Sequence, residues 1–229
     1  MNSVRRFNDS VLGGLERPAL AWMARQLPGA VLPDHLTALG VIGALLAAAG
    51  FVLSRQSLHW LWLASVGLLV NWVGDSLDGT LARARHIERP RYGFFVDHMT
   101  DCFCQVTIFL ALGLSPLTHF AIACLGLIAF LIAFVYSLIY AHTHGTLRIT
   151  YFYFGPTEIR ALLLGGNLLT LAVGIVQVRA WPALTARWGA ISIHDLSIVS
   201  LALAGTVLIA SLAIRDARAL AAADPPPTP

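Results

Sequence analysis

Residues 71–101 read NWVGDSLDGTLARARHIERPRYGFFVDHMTD, and this stretch decides how the chain folds and what it handles. Asp75 and Asp78 stand three residues apart, and Asp97 and Asp101 four apart, so each pair shares one face of a helix. An antiparallel helical hairpin brings both pairs to the same depth at a membrane margin. Four carboxylates converging there cannot all stay ionised without compensation. Hard divalent cations such as Mg²⁺, Mn²⁺ or Ca²⁺ supply it, and the same ions hold diphosphates. A single Asp at a helix end is ordinarily a solvent-facing polar residue; two in-phase pairs, among only 12 acidic residues in the chain, read as a site. Gly74, Gly79 and Gly93 are expected to clear space beside the carboxylates for a helix contact or a ligand.

The rest of the chain places this hairpin in a bilayer. Of 229 residues, 57% are apolar and 12% charged, and the mean hydropathy is +0.73. A soluble domain carries about 25% charged residues, so the composition excludes disorder, a nucleic-acid-binding module and an ordinary cytosolic domain. Six apolar runs, 36–53, 58–74, 94–114, 117–140, 159–178 and 196–214, are each long enough as helices to cross about 30 Å of hydrocarbon. Ser115-Pro116 forces the third and fourth into a tight hairpin. The fold expected is an all-α integral membrane protein: a cytoplasmic amphipathic segment (1–33), a six-helix transmembrane domain (34–218) and a disordered Pro-rich tail (219–229). In the first segment Val11, Leu12, Leu15, Ala19, Trp22 and Met23 recur at helical spacing, predicting an interfacial helix kinked at Pro18. No cleavable signal is evident. Cys102, Cys104 and Cys124 lie in apolar runs and read as small hydrophobes rather than a disulfide framework.

All 15 basic residues are Arg. With the N-terminus inside, only Arg55, Arg179 and Arg187 fall on the outer side, which predicts a multi-pass protein of the cytoplasmic (inner) membrane. Both termini and the acidic site then face the cytoplasm, and Trp60, Trp62, Trp181 and Trp188 mark the opposite interface. Gly40, Gly43, Ala44 and Ala47 offer a small-residue face for homodimerisation. Residues 140–160 gather His142, His144, Arg148, Tyr151, Tyr153, Glu158 and Arg160 on the site's side. Arg148 and Arg160 are candidate phosphate contacts or simply positive-inside anchors. The two histidines, two apart, are badly spaced for zinc. Asn71 either touches Asp75 or a substrate, or serves helix packing. A divalent-cation transporter would share the acidic cluster, but should place it near mid-membrane within related repeats, and no repeat is visible.

The segment resembles the signature of the CDP-alcohol phosphotransferases at Asp75, Asp78-Gly79, Ala82-Arg83, Gly93, Asp97 and Asp101, with one extra residue between Arg83 and Gly93. The resemblance implies transfer of a substituted phosphoryl group from a CDP-alcohol to an alcohol acceptor, one of the two being a membrane lipid, with release of CMP. It implies Asp75, Asp78 and Asp97 as ligands of Mg²⁺ or Mn²⁺, two ions in all, and Asp101 as a further ligand or the base. Gly79, Ala82, Arg83 and Gly93 would border the cytidine diphosphate, and a homodimer is implied as well. Asp97-His98-x-x-Asp101 looks like the motif of choline and ethanolamine phosphotransferases, as does the Thr157-Glu158 pair before the fifth run. These lean towards CDP-choline or CDP-ethanolamine and a diacylglycerol acceptor, with His98 as an alternative base. The other branch, CDP-diacylglycerol with glycerol phosphate, inositol, inositol phosphate or serine, stays open. His98 has a plain reading as a packing residue, and Glu158 as a helix-dipole partner.

Overall fold

The computed structural model describes residues 5–7, 13–148, 155–178 and 189–224. Their helices are α1 (Gly13–Gln26), α2 (Pro33–Leu53), α3 (Leu61–Arg85), α4 (Pro90–Gly113), α5 (Phe120–His144), α6 (Pro156–Val173) and α7 (Ile193–Ala223). A short 3-10 turn, Leu58–Trp60, leads into α3. Two minimal strand pairings complete the architecture. The strand β1 (Arg5–Phe7) runs parallel to β2 (Thr146–Arg148), and β3 (Gln177–Val178) antiparallel to β4 (Ile191–Ser192). Of the tail expected to be disordered over 219–229, residues 219–223 instead continue α7 as helix; residues 225–229 lie outside the described residues, as do Val11, Leu12, Tyr151, Tyr153, Arg179, Trp181, Arg187 and Trp188.

Local chemistry sets the helix ends. Pro90 and Pro156 open α4 and α6, where a missing N–H costs nothing. Ser192 Oγ accepts from the Asp195 N–H at 3.0 Å while Asp195 returns a bond to the Ser192 N–H at 2.9 Å, boxing the start of α7. Gly174, at φ 79°, stops α6 five residues short of the expected end of the fifth run. His86 takes the left-handed position after α3 at φ 54°, and the Ile87 N–H reaches back to the Ala82 carbonyl at 3.1 Å.

The chain is an all-α, multi-pass membrane protein. Among the described residues, α2, α4, α5 and α7 are long and apolar enough to cross a bilayer, so four spans stand where the sequence predicts six. The second and fifth runs do form α3 and α6. However, α3 carries Asp75, Asp78, Arg83 and Arg85 in its second half, and α6 has only 18 residues and begins with Glu158 and Arg160. The α4–α5 connection is the tight hairpin expected at Ser115-Pro116. Buried Asp195 ties it to α7, accepting from Thr118 Oγ1 at 2.5 Å and from the His119 N–H at 2.8 Å. The helix α1 continues through Pro18 without interruption. Its packing face is Leu20 and Ala24, set against Leu36, Leu77 and Leu81, while Trp22 points away and is 60% exposed.

The tightest contact joins α2 to α3. A Cβ added at Gly43 would sit 2.2 Å from the Asn71 nitrogen; at Gly50, 2.2 Å from that of Ala64; at Gly67, 2.2 Å from that of Ala47; and at Gly74, 2.3 Å from that of Gly40. Partners thus alternate along antiparallel helices at steps of three and four, the spacing of a left-handed pair, with backbone against backbone. Ala47 is buried in the same seam, and Ala44 in the core cluster beside it. The small residues expected to form a dimer face are therefore consumed within one protomer. In lipid such seams are held by dispersion and close approach, since transfer from water no longer drives them. Phe51, Leu61, Leu68, Ile108 and Leu112 close the core around it.

Gly43→Val or Gly67→Val should abolish this approach, costing at least about 3 kcal/mol and collapsing the yield of monodisperse protein in detergent. Gly165→Ala has open space around it; it should be neutral or raise the melting midpoint, by about 0.5–1 kcal/mol of stability.

Candidate metal centre

Both α3 and α4 rest on α2, and between them the Asp faces meet. One carboxylate oxygen from each of Asp75, Asp97 and Asp101 lies within 4.8 Å of the others. The pocket they line, with Thr37, Gly40 and Asn71, measures about 10 Å³, room for one water-sized body. Asp78 lines it too but turns to α2, accepting from Thr37 Oγ1 at 2.6 Å and from the Gly79 N–H at 2.5 Å. It therefore stands apart from the three-carboxylate group that the sequence expects it to join.

From α6, buried Arg160 donates through Nη2 to Asp75 Oδ2 at 2.7 Å. The sequence marks Arg160 as a phosphate contact or an anchor; here it is the counter-ion of a site carboxylate. Three carboxylates and one guanidinium carry a formal −2, which one divalent cation would balance. All the cluster's donors are hard oxygens, so it fits Mg²⁺ or Mn²⁺.

Other expected site residues stand elsewhere. His98 Nδ1 lies 2.8 Å from the Phe94 carbonyl and 3.6 Å from Asp97 Oδ2, and its ring stacks on Phe94 at 4.1 Å. Its ring also lies 5.8 Å from that of Phe134 on α5, and it does not line the pocket. Glu158 Oε2 accepts from the Gly155 N–H at 2.8 Å, capping α6. Arg83 is exposed, with Nη2 3.2 Å from Thr80 Oγ1. Gly79, Ala82, Arg83 and Gly93 are not pocket residues. A Cβ on Gly93 would meet open space, and Gly74 serves the seam with Gly40 rather than a ligand. Arg148 contributes backbone to β2; its side chain lies outside the described residues. His142 and His144 are exposed, and His144 stacks on Tyr140 at 4.0 Å.

Three residues that sequence reasoning passes over hold the surroundings in place. Glu16 of α1 accepts from Trp72 Nε1 at 2.8 Å and from Ser76 Oγ and Thr157 Oγ1, each at 3.2 Å, tying α1 to the helices that carry Asp75 and Arg160. Arg85 donates to the carbonyls of Gly29 and Val31 through Nη1 and of Leu27 and Pro28 through Nη2, sealing the end of α1. Arg89, lying over the Tyr92 ring, bridges to Asp34, which holds its guanidinium above its usual pKa range and pins the α3–α4 turn to α2. The only sequence signal for Glu16 is a lone acid in an amphipathic first turn.

A family model described as CDP-alcohol phosphatidyltransferase matches residues 30–190. The chain belongs to that family. It is also similar to the archaetidylinositol phosphate synthase of Pyrococcus horikoshii, 29% identical over 147 residues. The match covers 64% of this chain and 63% of that relative's length.

The four carbonyl contacts make Arg85 a structural residue of the α1 end. Arg85→Lys should cost about 1.5–3 kcal/mol and speed tryptic cleavage after Arg17 and Arg25. Arg83→Lys should leave both the melting midpoint and the cleavage rate at wild-type values.

Proposed function

We propose that this protein transfers a substituted phosphoryl group from a CDP-alcohol to a hydroxyl acceptor, releasing CMP. The observation that carries the reading is the convergence of Asp75, Asp97 and Asp101 from two helices within a chain of this family. The acceptor oxygen bonds to the phosphorus bearing the alcohol, the bridge to the CMP phosphate breaks, and the acceptor proton passes to the Asp101 carboxylate. Bound Mg²⁺ or Mn²⁺ would offset the negative charge on the two phosphates and the departing CMP. Asp75, Asp97 and one oxygen of Asp101 would hold the ion, leaving the other Asp101 oxygen for the acceptor proton; Asp78 would serve a second ion from its place beside Thr37, and Arg160 would pass from Asp75 towards substrate phosphate. Exposed Arg83, five residues beyond Asp78 on α3, would meet the diphosphate at the pocket mouth with its planar fork.

The donor we favour is lipid-linked, CDP-diacylglycerol or a similar CDP-lipid, with a soluble acceptor of the inositol phosphate kind. The name of the Pyrococcus relative supports this branch. The features that lean towards CDP-choline or CDP-ethanolamine also have structural contacts: His98 lies against Phe94 and Phe134, and Glu158 caps α6. The acidic pocket would open to the cytoplasm, with α3 and α6 completing six spans and both termini inside. A homodimer would use a face other than the α2 stripe.

Purified protein in vesicles should release CMP with Mg²⁺ or Mn²⁺ when given CDP-diacylglycerol and a soluble acceptor. Release only with CDP-ethanolamine and diacylglycerol would overturn the donor assignment, and release with neither would overturn the reaction. Asp75→Asn and Asp97→Asn should lower turnover at least about 100-fold. Asp101→Asn should lower kcat more than it raises KM. For orientation, in a cysteine-free background Ile87→Cys should label only from the cytoplasm and Ser57→Cys only from outside; the reverse pattern would invert the topology.

A further inference from the structure

Asn71 lines the pocket, and its buried Oδ1 has no hydrogen-bond partner among the described residues. Asn71 is 2% exposed. Its Nδ2 donates to the Gly40 carbonyl at 3.0 Å, and since a carbonyl can only accept, this bond settles which end of the amide is oxygen. The oxygen therefore belongs to the other side of the amide. An orphaned buried acceptor costs about 1–3 kcal/mol, and the great majority of such atoms find a partner.

The pocket around it offers little to donate. Asp75, one turn further along α3, and Asp101, across on α4, are acceptors when ionised; the Cys104 thiol is a weak donor. An amide oxygen beside clustered carboxylates lacks a hydrogen but suits a hard cation, whose usual ligands include carboxylates and amide carbonyls together. Nor does the seam demand Asn at this position. Gly43 approaches the Asn71 backbone, which any residue would present.

We propose that Asn71 Oδ1 is the uncharged fourth ligand of the divalent cation held by Asp75, Asp97 and Asp101. The proposal rests on the metal reading of the site given above. Asn71 and Cys104 lie one turn beyond Asp75 and Asp101 away from the α3–α4 turn, so Asn71 coordinates from the pocket floor. A neutral oxygen there adds a coordination position without adding charge to three carboxylates that already repel one another. The Gly40 carbonyl orients the amide, which couples the ligand directly to the α2–α3 seam.

The test is Mn²⁺ binding to the full-length protein in detergent, without substrate, followed by loss of the free-ion paramagnetic resonance signal. Asn71→Leu removes the oxygen at similar volume, and Asn71→Ser withdraws it from the pocket while keeping a small polar side chain. Each should weaken Mn²⁺ binding at least about tenfold, and the stabilisation of the melting midpoint by Mn²⁺ should shrink with it. Should Asn71→Leu fail to fold, Asn71→Ser carries the test. Asp75→Asn separates the two layers of the reading. If it loses Mn²⁺ while both Asn71 variants bind within twofold of wild type, Asn71 is not a ligand and the carboxylate site stands. If Asp75→Asn binds as wild type does, or wild type binds no Mn²⁺, the metal site itself falls and Asn71 with it.

Discussion

The backbone contact between α2 and α3 is the constraint on which the rest of the structure depends. Where Gly43, Gly50, Gly67 and Gly74 bring peptide nitrogens to the distance of an added Cβ, two helices become a single slab of fixed thickness. Every site residue on α3 inherits its height and rotation from that slab. Thr37 can reach Asp78 and Asn71 can reach the Gly40 carbonyl only because no side chain intervenes. In a bilayer, where an apolar surface gains little by leaving lipid, such contact is what orders neighbouring helices.

With α3 held this way and α4 resting on the same partner, the two acidic faces are left opposite one another rather than packed together. The like charges are tolerated because Arg160 enters from α6 and because Asp78 is drawn aside by a hydroxyl and a backbone N–H. Burying a cluster of this kind without compensation would oppose folding. The arrangement is polar chemistry at the edge of an apolar scaffold, with its neutralising partners on three different helices.

Much of this was legible in the sequence, for reasons that particular residues make plain. Asp75, Asp97 and Asp101 could be placed because helical phase is a local property, and three- and four-residue spacings report it directly. The six helical runs were visible as apolar stretches, although α3 and α6 are too charged or too short to qualify as spans by composition. What sequence could not show are bonds that cross the fold. Glu16 meets Trp72 and Thr157 at long separation, and Arg85 caps a helix more than fifty positions earlier. The partner of the small-residue stripe was not legible for a physical reason: Gly and Ala encode close approach but not the identity of the helix that approaches. His98 and Glu158 look like specificity marks in one dimension; in three, His98 also packs between Phe94 and Phe134 and Glu158 also caps α6.

The buried guanidinium of Arg160 has one more consequence. Set against Asp75, it gives the acidic pocket an internal monovalent counter-ion. On the metal reading proposed above, a divalent ion would enter a site in which part of the negative charge is already met by a tethered group, and its departure would leave that ion pair in place. The scaffold would then not depend on the ion for all of its charge balance. Chelation should then strip the site while leaving the helices assembled, in contrast to small metal-dependent domains whose fold is lost with their ion.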